Sequence, residues 1–158
     1  MAELRAYPQV IASSIEKYRF REAQTEFMNV ARLGNKYLAD AEPWKLIKTD
    51  PERTQTIMFV ALQITAALAV LAEPFMPHTS NKLKTSLNFS VLEMTPTWPE
   101  MNSDQFWLPS GHQITATPLL FSRIEDEQMA FQREKLEATK SKNTLISTPI
   151  MAQKETIV

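Results

Sequence analysis

The sequence predicts an all-α fold: a helical bundle, then an irregular connector, then a C-terminal helix that docks on another surface. Long segments carry apolar residues at three-to-four spacing, which is typical of helices with one buried face. The 2 glycines of the 158-residue chain are too few for a sheet of tight hairpins or for a Gly-rich phosphate loop. The 10 prolines cluster between the periodic segments and divide the chain into helices.

Two helices are predicted before residue 42. Pro8 opens a short helix over residues 9–18, and a longer helix follows over residues 19–40. Gly34 lies inside the longer helix at a cost of about 1 kcal/mol relative to alanine, which favours close packing on a neighbouring helix over a ligand role. The stripe expected to be buried in this helix consists of Phe20, Ala23, Phe27, Val30, Ala31 and Leu38.

A proline at position 43 separates the second helix from a short helical turn. Because the residue before a proline is disfavoured in the αR region, the helix should end at Glu42. Trp44 then begins a turn of helix in which Leu46 and Ile47 are available for the core. Lys48 follows Trp44 by four residues, so these two side chains should share a face.

The third helix has the strongest start signal and is predicted to be the central helix of the bundle. Asp50 can cap it and Pro51 suits its first position. It extends over residues 51–73, and its alanines permit close contact on more than one side. A fourth helix over residues 78–87 ends at Asn88 as its C-cap. The inward residues expected in these two helices are Ile57, Ala61, Ile64, Leu68, Leu71, Leu83 and Leu87.

The pattern changes after the fourth helix. Residues 1–88 are therefore expected to form the bundle, and residues 89–121 an irregular connector packed on it. Residues 122–140 predict a helix whose thin apolar stripe indicates docking elsewhere, and residues 141–158 read as a linker or disordered tail. The aromatic residues expected to hold the connector on the bundle are Trp98, Phe106 and Trp107.

Composition and charge exclude several classes of function. A net charge of -1 argues against a broad phosphate-binding surface, and the absence of cysteine excludes disulfides and thiolate zinc sites. His78 and His112 lie in unrelated stretches, so no metal site is expected. The apolar stretch over residues 57–71 is interpreted as too short to span a bilayer, which predicts a cytoplasmic chain with no membrane partner. No catalytic constellation is visible.

The candidate binding residues surround Trp44. A tryptophan directly after a proline at a helix boundary can offer a stacking platform for an unpaired base, which is worth roughly 1–3 kcal/mol per base. Lys45 and Lys48 could hold phosphates, and Asn35 could hydrogen-bond a base edge. The alternative interpretation is that Trp44 is only a packing anchor of the core or surface.

A series of short motifs gives this sequence a family resemblance. In order, they are residues 18–23 (YRFREA), 33–37 (LGNKY), 42–44 (EPW), 73–77 (EPFMP), 111–114 (GHQI) and 118–125 (PLLFSRIE). The series, which covers residues 15–140, resembles the C-terminal helical domain of bacterial methionyl-tRNA synthetase. Each motif alone is weak, whereas their order and spacing together are specific.

The resemblance implies an anticodon-binding bundle of the class I synthetase type. A Rossmann catalytic domain and one further helix would precede residue 1, and that domain would hold ATP and, in some members, zinc. This chain carries neither the ATP signatures nor zinc-binding cysteines, so it should not aminoacylate alone. By the same resemblance Trp44 would stack on a base of the CAU anticodon of methionine tRNA, while Asn35 and Lys48 line the same surface.

The resemblance also implies how the chain meets its partners. The last helix would fold back on the catalytic domain, and a homodimer could cover the apolar surface left by the upstream helix. Two other hypotheses stay open at this point. One is a helical protein-interaction module that uses Trp44 and the connector aromatics. The other is the anticodon bundle of the synthetase for leucine, isoleucine or valine.

Overall fold

The structure, a computed structural model, describes residues 1–92, 97–98, 106–116 and 119–147. Within these ranges the chain is helical with no strand, so the predicted all-α class is confirmed. The contacts divide the chain into two units, Met1–Leu120 and Phe121–Val158. The helices are α1 (Ala2–Glu16), α2 (Phe20–Ala41), α3 (Pro43–Leu46), α4 (Pro51–Leu71), α5 (Pro77–Ser86), a 3₁₀ turn (Phe89–Val91) and α6 (Asp126–Ser147).

The first helix is longer than predicted and contains the proline that was expected to open it. Pro8 lies inside α1 and is buried there with Leu4 and Ile11. A proline in a helix removes one backbone hydrogen bond. Here the three residues share the inner face by their spacing, and we attribute the continuous helix to this packing. The helix ends at Glu16 because Tyr18, at φ 58°, takes the left-handed conformation.

The second helix confirms the predicted bounds to within a residue, and three of the six residues of the predicted stripe are buried. Ala23, Phe27 and Val30 are buried, and Phe27 stacks on Phe75 with ring centroids 5.4 Å apart. A Cβ at Gly34 would lie 3.1 Å from Cγ2 of Ile64, so α2 approaches α4 closely at the glycine, as predicted. The prediction for Phe20 is wrong: this side chain is 58% exposed because it lies at the turn, edge-on to Tyr18.

The predicted central helix is α4, which contacts α2, α3 and α5. The Asp50 carboxylate accepts the Arg53 amide at 3.0 Å and Pro51 occupies the first position, as predicted. The Ser80 hydroxyl donates to the Ala69 carbonyl at 2.6 Å and ties α5 to α4. The buried apolar residues of α4 are Ile57, Ile64, Ala66, Ala67, Ala69, Val70 and Leu71.

The same helix also meets the length and composition test for crossing a membrane. It has 21 residues, and its most apolar window has a mean hydropathy of 1.8. The stretch predicted to be too short, residues 57–71, is only the C-terminal part of this helix, and the test is met by the whole helix Pro51–Leu71. Half of that window is buried within the protein, and the central helix of a bundle gives the same values as a spanning segment.

The fourth helix ends one residue earlier than predicted, with Leu87 and not Asn88 as its C-cap, and part of the connector covers it. Asn88, at φ 53°, follows the C-cap Leu87, and its amide donates to the Thr85 carbonyl at 2.9 Å. Nε2 of His112 lies 2.6 Å from the Leu87 carbonyl oxygen, and the Thr115 amide donates to Ser86 at 2.9 Å. The extended piece after Gly111 thus satisfies carbonyls at the end of α5.

The last helix starts later and continues further than predicted. It begins at Asp126 because the Gln128 side chain accepts the Glu125 amide at 3.1 Å, which caps the first turn. It extends through Ser147, so the predicted linker or disordered tail is wrong for residues 141–147, where neither proline nor glycine interrupts the helix. Residues 148–158 lie outside the described residues.

Candidate RNA-binding site

A tight reversal of the backbone joins α2 to α3 and forms the base of the site. Glu42 adopts φ 44° and ψ 54°, the left-handed conformation that costs an ordinary residue on the order of 1 kcal/mol. Its amide donates to the Leu38 carbonyl at 3.0 Å, and its carbonyl accepts the Lys45 amide at 2.9 Å. Pro43 follows, buried, at the first position of α3. These contacts hold the short turn at a defined angle.

Trp44 projects from this turn with 60% of its surface exposed. The preceding residue, Pro43, points inward, and one helical step turns the side chain of Trp44 toward solvent. The indole is therefore not a core residue. A large, flat and half-uncovered ring on a fixed turn has the properties that base stacking needs.

The two predicted lysines differ in their surroundings. Nζ of Lys45 lies 2.7 Å from Oε1 of Glu42, and both side chains are exposed, by 65% and 43%. Such a surface pair is worth roughly 0.2–1 kcal/mol, so a phosphate can compete for the ammonium group. Lys48 is exposed, and no ion pair of its side chain is seen among the described residues.

Asn35 is exposed near the end of α2. An axial rise of about 9 Å separates it from Ala41, the last residue of that helix. The structure therefore places Asn35 on the same half of α2 as the turn. Tyr37 lies between Asn35 and the turn along the chain. Burial raises the pKa of its hydroxyl, which stays neutral at physiological pH.

Ile47 and Gln63 are residues whose roles the sequence did not reveal. Ile47 was expected in the core but is 60% exposed, because it lies three residues after Trp44 and shares its face. Gln63 is fully buried: its Oε1 accepts the amides of Trp107 at 2.9 Å and Leu108 at 3.1 Å, and its Nε2 donates to the Leu108 carbonyl at 2.8 Å. The sequence signal for this role of Gln63 is a polar residue inside an otherwise apolar helical stretch.

The connector aromatics contact the bundle as predicted. Trp107 is buried with 6% exposure, and Trp98 is partly buried and packs against the hydrophobic core. Phe106 lies edge-on to Phe59, with ring centroids 5.1 Å apart. Among the residues that the structure describes, no three His, Asp or Glu side chains come together in a way that could hold a metal ion.

The all-α bundle presents an exposed indole and two exposed lysines on one turn, and these are the kinds of group on which unpaired bases stack and to which phosphates bind. Residues 1–141 match the family model for the anticodon binding domain of methionyl tRNA ligase, and the chain belongs to this family. The predicted resemblance is thereby confirmed.

Curated relatives agree with the family. The chain is 60% identical over 157 residues to a methionine–tRNA ligase of Christiangramia forsetii, an alignment that covers 98% of the chain and 23% of that relative. It is 53% identical to the enzyme of the same name from Flavobacterium psychrophilum, with 99% and 22% covered. For Cytophaga hutchinsonii the identity is 47%, with 98% and 22% covered. The chain thus spans less than a quarter of the length of these relatives.

Proposed function

We propose that this chain binds the anticodon of methionine tRNA as part of a methionine–tRNA ligase, which joins methionine to tRNA with ATP during translation. The family match is the observation that carries this proposal. The exposed indole of Trp44, at 60%, supports a stacking contact with one anticodon base. The weak overall charge favours such a local site over a broad phosphate-binding surface.

The chemistry of the ligase belongs to parts of the relatives that this chain does not span. ATP, and zinc where it is used, would be held there. The chain alone should bind RNA without aminoacylating it. This domain would bind the anticodon at a distance from the site where methionine is joined to the acceptor end. Anticodon binding selects the tRNA and orients its acceptor end, so the contribution of this domain is specificity. The proposal implies a cytoplasmic protein.

The partner contacts of the second unit are also a proposal. Large apolar side chains of α6 are exposed, namely Met129 by 44%, Phe131 by 60% and Leu136 by 57%. A helix with such a surface needs a protein partner to cover it. We expect the catalytic part of the ligase to supply that surface, and a homodimer is the alternative occupant.

The first experiment is a titration with anticodon stem-loops. The loop carrying CAU should bind more tightly than a loop in which the first anticodon base is changed. Trp44→Ala should weaken CAU binding by about 1–3 kcal/mol, which is about fivefold to 150-fold. The melting temperature should not change, because the indole is exposed. A large fall in melting temperature, or unchanged affinity, would contradict the assignment.

A protein-interaction module remains the second candidate because of an aromatic pair at the other end of α2. Tyr18 and Phe20 are 81% and 58% exposed and meet edge to face, with centroids 6.2 Å apart. The length of α2 puts about 30 Å between this pair and the α3 turn. If a protein partner binds that surface, Tyr18→Ala should leave the affinity for the stem-loop unchanged. If RNA also binds there, Tyr18→Ala should weaken stem-loop binding.

A further inference from the structure

We infer that Ile47 is a second RNA-contact residue, which packs against the nucleotide next to the one that stacks on Trp44. This inference rests on the proposed function and extends its site from one base to two. The structure places Ile47 at 60% exposure, equal to that of Trp44. The exposed side chains of Trp44 and Ile47 form an apolar surface on one helical turn, which we call the apolar step.

The geometry of the turn puts the two side chains on one face. The backbone stays helical through Ile47, which has φ -54° and ψ -30°, and its amide donates to the Pro43 carbonyl at 3.1 Å. Residues three apart on a helix are neighbours, with Cβ atoms about 5–6 Å apart. That separation allows adjacent nucleotides of an unstacked loop to rest on the two side chains in turn.

The other residues of the turn occupy different faces. Pro43 is buried and Leu46 is partly buried, so these two form the inner side. Glu42 and Lys45 pair with each other at 2.7 Å on the flank. The outer face therefore carries Trp44 and Ile47, with Lys48 at its edge four residues after Trp44.

Charge argues for RNA as the occupant of this face. Lys48 follows Ile47 directly and is exposed, and Lys45 lies on the adjoining flank. An apolar step bordered by two ammonium groups suits a nucleotide, whose base or ribose covers the step while its phosphate meets a cation. A purely apolar protein segment would gain nothing from the two lysines.

The test compares Ile47→Ala with a matched control. The control is Val91→Ala, a truncation of a β-branched residue that is 63% exposed on the 3₁₀ turn after α5. We expect Ile47→Ala to weaken binding of the CAU stem-loop about fivefold, because roughly a kilocalorie of apolar contact is lost. Val91→Ala should bind like the unmodified chain, and both variants should melt at its temperature.

A series of stem-loops with one abasic nucleotide each identifies the two partners. The loss caused by Trp44→Ala should vanish at one abasic position, and the loss caused by Ile47→Ala at the neighbouring position. If Ile47→Ala binds every loop as tightly as the unmodified chain does, the inference is overturned. If Trp44→Ala still weakens binding in that case, the proposed function stands. If neither variant weakens binding, the proposed function itself fails. Loss of self-association in Ile47→Ala with unchanged RNA binding would instead assign this face to a second copy of the chain.

Discussion

Gln63 makes the contacts that fix the connector, and replacing it by leucine gives the sharpest test of the fold. The side chain is fully buried and makes hydrogen bonds of 2.8 to 3.1 Å with the backbone of Trp107 and Leu108. Leucine has a similar volume but no polar atom. Two backbone amides and one carbonyl then lose their partners inside the protein.

The magnitude follows from these three lost contacts. Each intramolecular hydrogen bond contributes about 1 kcal/mol net, and a buried group left without a partner costs about 1–3 kcal/mol. Gln63→Leu should therefore lower the free energy of unfolding by at least about 3 kcal/mol. For a chain of this length that corresponds to a fall in melting temperature of about 6–12 °C.

Urea unfolding measures this loss, and amide hydrogen exchange locates it. The amides of Trp107 and Leu108 should lose protection in the variant, because they no longer donate to the side-chain oxygen of Gln63. Gln55→Leu, an exposed position on the same helix, is the control and should change stability by less than about 0.5 kcal/mol. If Gln63→Leu costs less than about 1 kcal/mol, or if these two amides stay protected, the role assigned to Gln63 is refuted.

Two further predictions concern the turn and the helix contact. Glu42→Gln removes the ion pair with Lys45, so RNA affinity should rise. The slope of log affinity against log salt should steepen by about 0.7, the value for one added single-strand phosphate contact. An equal change in Glu52→Gln would show a general charge effect instead. Gly34→Leu should lower the free energy of unfolding by about 1–3 kcal/mol in urea titrations, since even a Cβ there would lie 3.1 Å from Ile64 Cγ2. The exposed neighbour Lys36→Leu should have little effect, and equal stability of both variants would contradict close packing at Gly34.

Local signals in the sequence predict much of the helical framework. A capping Asp50 and the following proline set the start of α4, and Asn88 sets the end of α5. These features depend on neighbouring residues alone, so they can be read without knowledge of the fold. The exposed Trp44 at a proline-anchored turn is likewise a local feature.

Features that depend on distant contacts could not be read in this way. Periodicity places Phe20 and Ile47 on candidate apolar faces, but only the packing of the bundle decides which face is covered. The helix around Pro8 persists against the local preference of proline, because the residues that share its inner face are buried with it. Gln63 has partners 44 and 45 residues away, and such a pairing carries no sequence pattern.

The central claim is that Trp44 offers its exposed ring to an anticodon base, and its indole N–H signal in a two-dimensional NMR spectrum tests this most directly. The chain has 3 tryptophans, so the buried Trp107 serves as an internal reference in the same titration. Addition of the CAU stem-loop should shift the Trp44 signal strongly and leave that of Trp107 in place, because ring currents of a stacked base act only at contact distance. A Trp44 signal that stays unmoved at saturating RNA would contradict the account.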